Sequence, residues 1–143
     1  MELSAVVEVL GGEKVLQQNI RSRMDLIELS NKGVTKDALL HLANYLCFSM
    51  NQMAELLSFT KGTIRRYASK KHLNRVISEQ ILQIAEVAAK GSEVFESKEK
   101  FLAWMKCPNK ALSNKTPVSL LGSKFGGDMV LDELGRIEYG VFS

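Results

Sequence analysis

Apolar residues recur along this chain at helical spacing, and alternation with a period of two is never sustained. The clearest stripes are Leu39, Leu42, Ala43 and Leu46; then Met53, Ala54 and Leu57; then Ile81, Ile84, Ala85 and Ala88; and finally Val130, Leu134 and Ile137. Shorter apolar groups lie between them: Met24, Ile27 and Leu29; Phe101, Leu102, Trp104 and Met105; Val118, Leu120 and Leu121. Residues 3–10 (LSAVVEVL) fit either a short helix or a strand, and Gly11-Gly12 ends them in both cases. A helical turn follows over 13–18. The pattern predicts an all-α chain.

Capping residues punctuate these stripes. Ser22, Thr35, Ser78, Ser97 and Thr116 each stand where a side-chain oxygen can accept from the first free backbone N–H groups of a helix. Pro117 after Thr116 is the residue expected at a first helical position. Gly33, placed as a left-handed residue, Gly91, Pro108, Gly122 and Tyr139-Gly140 mark predicted stops. Gly126-Gly127 reads as a break, with the last helix opening at Asp128.

Residues 49–75 (SMNQMAELLSFTKGTIRRYASKKHLNR) carry the strongest local signal. Ser49 and Gln52 have the spacing of a capping box. Ser58-Phe59-Thr60 interrupts the first helix, and Thr60 is placed to cap a second over 61–69. Ile64 and Tyr67 would face the first helix, with Phe59 plugging the corner. Two short helices joined by a tight turn, the second of them basic, have the layout of a helix-turn-helix, whose second helix enters the DNA major groove. Gly62, in the first turn of that second helix, would permit close approach to a phosphate or base edge.

Charge sharpens this expectation. Lys61, Arg65, Arg66, Lys70, Lys71 and Arg75 fall in fifteen residues without an acid, so this segment holds +6 while the whole chain holds +3. Clustered cations are the electrostatic footprint of phosphate binding. Lys61 and Arg66 are the candidates for phosphate or guanine-edge contacts, Thr60 and Thr63 for hydrogen bonds beside them, and Arg65, Lys70 and Lys71 for phosphates.

The rest of the composition mainly excludes. With 143 residues and 45% hydrophobic content, the chain can form one core or two small domains sharing one. Cys47 and Cys107 are expected as buried free thiols in a reducing cytosol, not as a disulfide framework. His41 and His72 have no companion at metal-ligand spacing, so neither a metal nor a cofactor is expected. Asp128, Asp132 and Glu133 have the spacing of a solvated helix face, and no base accompanies them, so an enzyme is not expected. No secretory signal and no stretch near membrane-spanning length is seen, which points to a cytoplasmic protein.

The C-terminal third resembles a known domain. Its marks are the Trp104 helix, Pro108-Asn109 with Ala111-Leu112, Thr116-Pro117 with Leu120-Leu121, and Leu134-Gly135-Arg136-Ile137-Glu138 followed by Gly140-Val141. In order and spacing these resemble the toxin-binding domain of Xre/MbcA/ParS-type antitoxins. The upstream part is similar to that family's Xre-like helix-turn-helix domain, and the resemblance runs from about residue 22 to the end, with Leu10-Gly11-Gly12 also fitting. Two positions depart from it: Met50 stands where such domains often carry Gln, and Ser58 where a turn glycine is usual. The implied organisation is an N-terminal arm (1–21), an Xre-like helix-turn-helix domain (22–91) and a small helical toxin-binding domain (92–143).

The resemblance implies an antitoxin of a type II toxin–antitoxin pair, whose partner is a RES-domain toxin that consumes NAD. The last helix and tail (Arg136, Glu138, Tyr139, Gly140, Val141, Phe142 and Ser143) would occlude the toxin's nucleotide pocket. The helix-turn-helix would bind operator DNA at the chain's own promoter as an autorepressor, and two-fold operators imply a homodimer. The alternative is a stand-alone helix-turn-helix transcription regulator with a different protein or ligand partner.

Overall fold

The computed structural model describes residues 3–57 and 59–140, with Lys61 described by its main chain alone. Nine α-helices run through these residues: α1 (Leu3–Val9), α2 (Glu13–Leu16), α3 (Arg23–Lys32), α4 (Lys36–Leu46), α5 (Met50–Leu57), α6 (Lys61–Arg65), α7 (Arg75–Phe95), α8 (Lys98–Met105) and α9 (Lys124–Glu138). Two 3₁₀ turns, Lys110–Leu112 and Pro117–Leu120, connect the last two helices. Among the described residues there is no strand, only the isolated bridges Thr35–His72 and Asn109–Lys115. The all-α expectation is met, and the ambiguous residues 3–10 resolve as helix.

Local chemistry explains most helix starts. Ser22 and Asp25 form a reciprocal capping box on α3. Thr35 Oγ1 accepts from Ala38 N, Ser97 from Lys100 N and Thr116 from Ser119 N. Ser49 N–H donates to Gln52 Oε1 at 2.7 Å while Gln52 N–H donates back to Ser49 Oγ at 3.2 Å. Leu39, Leu42, Ala43 and Leu46 are buried, as are Met53, Ala54 and Leu57, and Ile81, Ile84, Ala85 and Ala88. The apolar turn around Pro117 is half-buried at Val118 and Leu120 and buried at Leu121.

The axis of the molecule is α7. Helices α1, α3, α4, α5, α8 and α9 all pack on it. Its start and end both differ from expectation. Asn74, not Ser78, is the cap, accepting from Ile77 N at 2.9 Å. Ser78 lies fully buried inside the first turns, accepting from Val34 N at 3.0 Å and donating to Leu73 O. Gly91 does not end the helix, which continues to Phe95 and stops at Glu96 in left-handed geometry, φ 53°. The reason is tertiary. Gly91 faces the buried ring of Phe101, and a Cβ there would lie 2.1 Å from Cε1. The glycine makes room for a neighbouring helix instead of a stop.

The glycine pair Gly126-Gly127 is likewise not a break. Helix α9 opens at Lys124, with Ser123 Oγ accepting from Gly126 N at 3.0 Å. Both glycines are buried in its first turn. A Cβ on Gly126 would meet Leu120 O at 1.9 Å, and one on Gly127 would meet Gln83 Oε1 at 2.2 Å. Gly33 does carry positive φ, 96°, but its ψ of 133° lies outside the left-handed helical region. Here too close approach decides, since a Cβ would sit 2.1 Å from Leu73 O.

The N-terminal segment joins the core: Val6, Val7, Val9, Leu10, Leu16 and Ile20 are all buried within the same cluster as α4 and α7. The two thiols depart from expectation, since Cys47 and Cys107 are free and exposed. Cys47 is the C-cap of α4 with φ 58°, a position that turns the side chain away from the core it follows.

Candidate nucleic-acid and protein interfaces

The helix-turn-helix is built as the caps predict, with one change. The second helix, α6, is five residues long and stops at Arg65, well short of residue 69. Thr60 Oγ1 accepts from Thr63 N at 3.3 Å and shares a hydroxyl–hydroxyl hydrogen bond with Thr63. Ile64 is buried against α5, Phe59 and Tyr67 are half-buried on the same core, and Met50 packs there as well. The turn position Ser58 lies outside the described residues.

The end of α6 is capped by a lysine on another helix. Lys36 Nζ donates to Tyr67 O at 2.9 Å and to Arg65 O at 3.3 Å, so it takes up the carbonyls that a longer helix would have bonded internally. The chain then runs as a loop pinned to the start of α4. Lys36 N donates to Lys71 O, Asp37 N to Ser69 O and Leu73 N to Val34 O. His72 Nδ1 lies 2.7 Å from Gly33 O, so this ring serves as a strut. Sequence patterning had no signal for Lys36, because its partners are some thirty residues away.

Arg65, Arg66, Lys70 and Lys71 are exposed, beside the exposed hydroxyl pair Thr60 and Thr63. Among the described residues none of these four cations has a carboxylate within ion-pair range. Arg75 instead pairs with Glu79 along α7, and Lys71 Nζ lies 5.5 Å from the Tyr67 ring centroid. Gly62 faces open space: no heavy atom lies within 4 Å of a Cβ placed there.

At the other end, α9 has two faces. Gly126, Gly127, Val130 and Leu134 are buried against the rest of the fold. The opposite side carries Phe125, Met129, Asp132, Arg136 and Tyr139, spaced three or four apart, which places them in one outward stripe. Phe125 is 83% exposed, Met129 44% and Tyr139 81%. Asp132, Arg136 and Tyr139 of this stripe were read from the sequence, whereas Phe125 and Met129 were not. Of the expected tail residues, Arg136 bonds Glu133 and Glu138 accepts from Lys90 Nζ at 2.9 Å. Gly140 follows with φ 71° and is exposed. Val141, Phe142 and Ser143 lie outside the described residues.

The comparisons with known proteins match this geometry. The antitoxin Xre-like helix-turn-helix domain matches residues 25–86, and the antitoxin Xre/MbcA/ParS C-terminal toxin-binding domain matches residues 90–140. An antitoxin Xre of Yersinia enterocolitica is 39% identical over 67 residues, which are 46% of this chain and 45% of that protein. The match thus spans less than half of that relative. An antitoxin Xre of Photorhabdus laumondii is 26% identical over 115 residues, 79% of this chain and 78% of that protein. Among solved structures, the crystal structure of the M. tuberculosis MbcT-MbcA toxin-antitoxin complex contains a chain similar in fold, with a TM-score of 0.57 at 15% identity, covering 87% of this chain and all of that one. The chain belongs to the Xre/MbcA/ParS-type antitoxin family. This places it among non-enzymatic regulatory proteins. Among the described residues no helix is long and apolar enough to cross a membrane.

Proposed function

We propose that this chain neutralises a cognate RES-domain, NAD-consuming toxin by occluding its active site with α9 and the tail, and that it represses its own promoter. The observation that carries the reading is the outward stripe of α9, in which Phe125, Met129 and Tyr139 leave large apolar surface uncovered inside a toxin-binding domain. Exposed aromatic side chains interleaved with an arginine are the kind of anchors that dominate protein interfaces. The stripe runs on to Tyr139, next to Gly140, the last described residue. Lys90 holds Glu138 against α7 and so fixes the end of α9. Arg136, Glu138, Tyr139, Gly140, Val141, Phe142 and Ser143 are the residues assigned to the toxin.

The DNA arm of the proposal assigns Thr60, Lys61, Thr63, Arg65, Arg66, Lys70 and Lys71 to the operator. The support is the exposure of Arg65, Arg66, Lys70 and Lys71, none of which has a carboxylate in ion-pair range among the described residues. A homodimer in the cytoplasm fits a two-fold operator. The divisions at 21 and 91 are divisions of task, because α7 runs through the second and the N-terminal segment shares the core.

Co-expression with the neighbouring toxin gene tests the first arm. Full-length chain protects cells and co-purifies with toxin, and a chain lacking residues 138–143 fails to protect; full protection by the shortened chain removes occlusion. For the second arm, unchanged promoter affinity in a Lys61→Ala/Arg66→Ala variant removes the DNA assignment.

A further inference from the structure

A second basic surface lies outside the helix-turn-helix. From residue 100 to residue 127 the chain carries Lys100, Lys106, Lys110, Lys115 and Lys124 and no acid. All five lysines are exposed. Lys124 pairs with Asp128 at 3.0 Å, whereas among the described residues no carboxylate lies in ion-pair range of the other four.

Two of these lysines, Lys110 and Lys115, stand on a short hydrogen-bonded loop. Asn109 N donates to Lys115 O at 3.0 Å, and Asn109 Oδ1 accepts from Ala111 N at 2.8 Å. The bridge between Asn109 and Lys115 closes the loop, with Lys110 next in sequence to one side of the bridge and Lys115 on the other. Lys106 precedes it by one turn of chain and lines a cleft of about 430 Å³ together with Phe48, Gln52 and Leu56. Phe48 and Gln52 flank the start of α5, the helix that crosses the phosphate backbone in a helix-turn-helix. Glu55 also lines the cleft, one turn further along α5. The inter-domain contact is tight: a Cβ on Gly122 would lie 2.9 Å from Leu56 O, and Gln80 Nε2 donates to Gly122 O at 3.1 Å.

We propose that Lys106, Lys110 and Lys115 form a second phosphate-contacting surface for duplex DNA, extending the footprint of the helix-turn-helix onto the domain assigned to toxin binding. This rests on the DNA-binding reading above. The occupant is a duplex backbone because residues 100–127 are cationic and carry no acid, and because Lys106 adjoins the backbone-crossing helix, whose Glu55 is the carboxylate on the same cleft. It is sequence-blind, since flexible lysines offer point charges and no base-edge geometry.

The test measures binding of the full-length chain to a fluorescent duplex from the DNA immediately upstream of its coding sequence, and to a random duplex of equal length, across a salt series. In a Lys106→Gln/Lys110→Gln/Lys115→Gln variant the slope of log K against log salt falls by about 2.7 units on both duplexes, at about 0.9 per phosphate contact. An unchanged slope overturns the proposal, and so does a variant that keeps its slope but no longer co-purifies with toxin, which gives the surface to the protein partner. An Arg65→Gln/Arg66→Gln variant separates the two readings. If it lowers the slope and the triple variant does not, only the second surface falls. If wild type binds neither duplex, the helix-turn-helix assignment falls with it.

Discussion

Lys90 on α7 and Glu138 at the end of α9 close an ion pair of 2.9 Å, with side chains only 20% and 30% exposed. The pair clamps the last turn of the chain's final helix against its longest one. A partly exposed pair of this kind contributes at most about 1 kcal/mol to stability. Its larger effect is positional. Lys90→Ala is expected to leave the urea midpoint nearly unchanged while weakening toxin inhibition several-fold, as measured by titrating toxin activity with purified protein. Equal inhibition by the variant would show that the tail needs no such anchor.

Phe125 is the most exposed large apolar side chain among the described residues. Because it contributes little to the core, Phe125→Ala should keep wild-type stability. As an interface anchor its truncation costs about 2 kcal/mol of binding, or about thirty-fold in toxin affinity. Calorimetric titration against an inactive toxin variant reads this directly.

Gly91 sits against the Phe101 ring with no space for a methyl group. Gly91→Ala raises helix propensity but overpacks the junction of α7 and α8, so a net destabilisation of about 1–3 kcal/mol is expected. Urea unfolding would show it. A stabilised variant would mean that α8 can shift at little cost.

Thr60 supports a helix only five residues long. Removing its hydroxyl in Thr60→Ala costs about 1 kcal/mol of cap energy. The loss should appear as weaker promoter binding with a preserved salt slope, because no phosphate-contacting charge is removed. Fluorescence anisotropy over a salt series separates the two effects.

Cys47 holds a left-handed conformation at the end of α4 with its thiol exposed. Glycine adopts that geometry without the Cβ penalty, so Cys47→Gly should raise stability by about 0.5–1 kcal/mol. In the unmodified protein both thiols should titrate with a thiol reagent before unfolding.

Much of this architecture was legible because it is local. The capping box at Ser49, the caps at Ser22, Thr35, Thr60 and Ser97, and the buried stripes of α4, α5 and α7 all follow from residues within a turn or two of one another. The positions that misled depend on distant partners. Gly91 and the pair Gly126-Gly127 looked like stops, because a glycine that admits Phe101, Leu120 or Gln83 carries the same letter as one that ends a helix. The carbonyls at the end of α6 are capped by the distant Lys36, and the apolar members of the outward face of α9, Phe125 and Met129, are set apart from core residues only by packing. The cations around α6 were readable as a run, but the lysines of the 106–115 loop, spread among apolar and small residues, were not.

The unbroken passage of α7 from the helix-turn-helix domain into the C-terminal domain has a further meaning for how such a protein can change. One added or lost residue between Ser78 and Gly91 would rotate everything downstream by about 100° and slide it by about 1.5 Å. Homologous exchange of either half is therefore tolerated only in whole-turn register, which makes this junction a natural ruler for judging which chimaeras between relatives will fold.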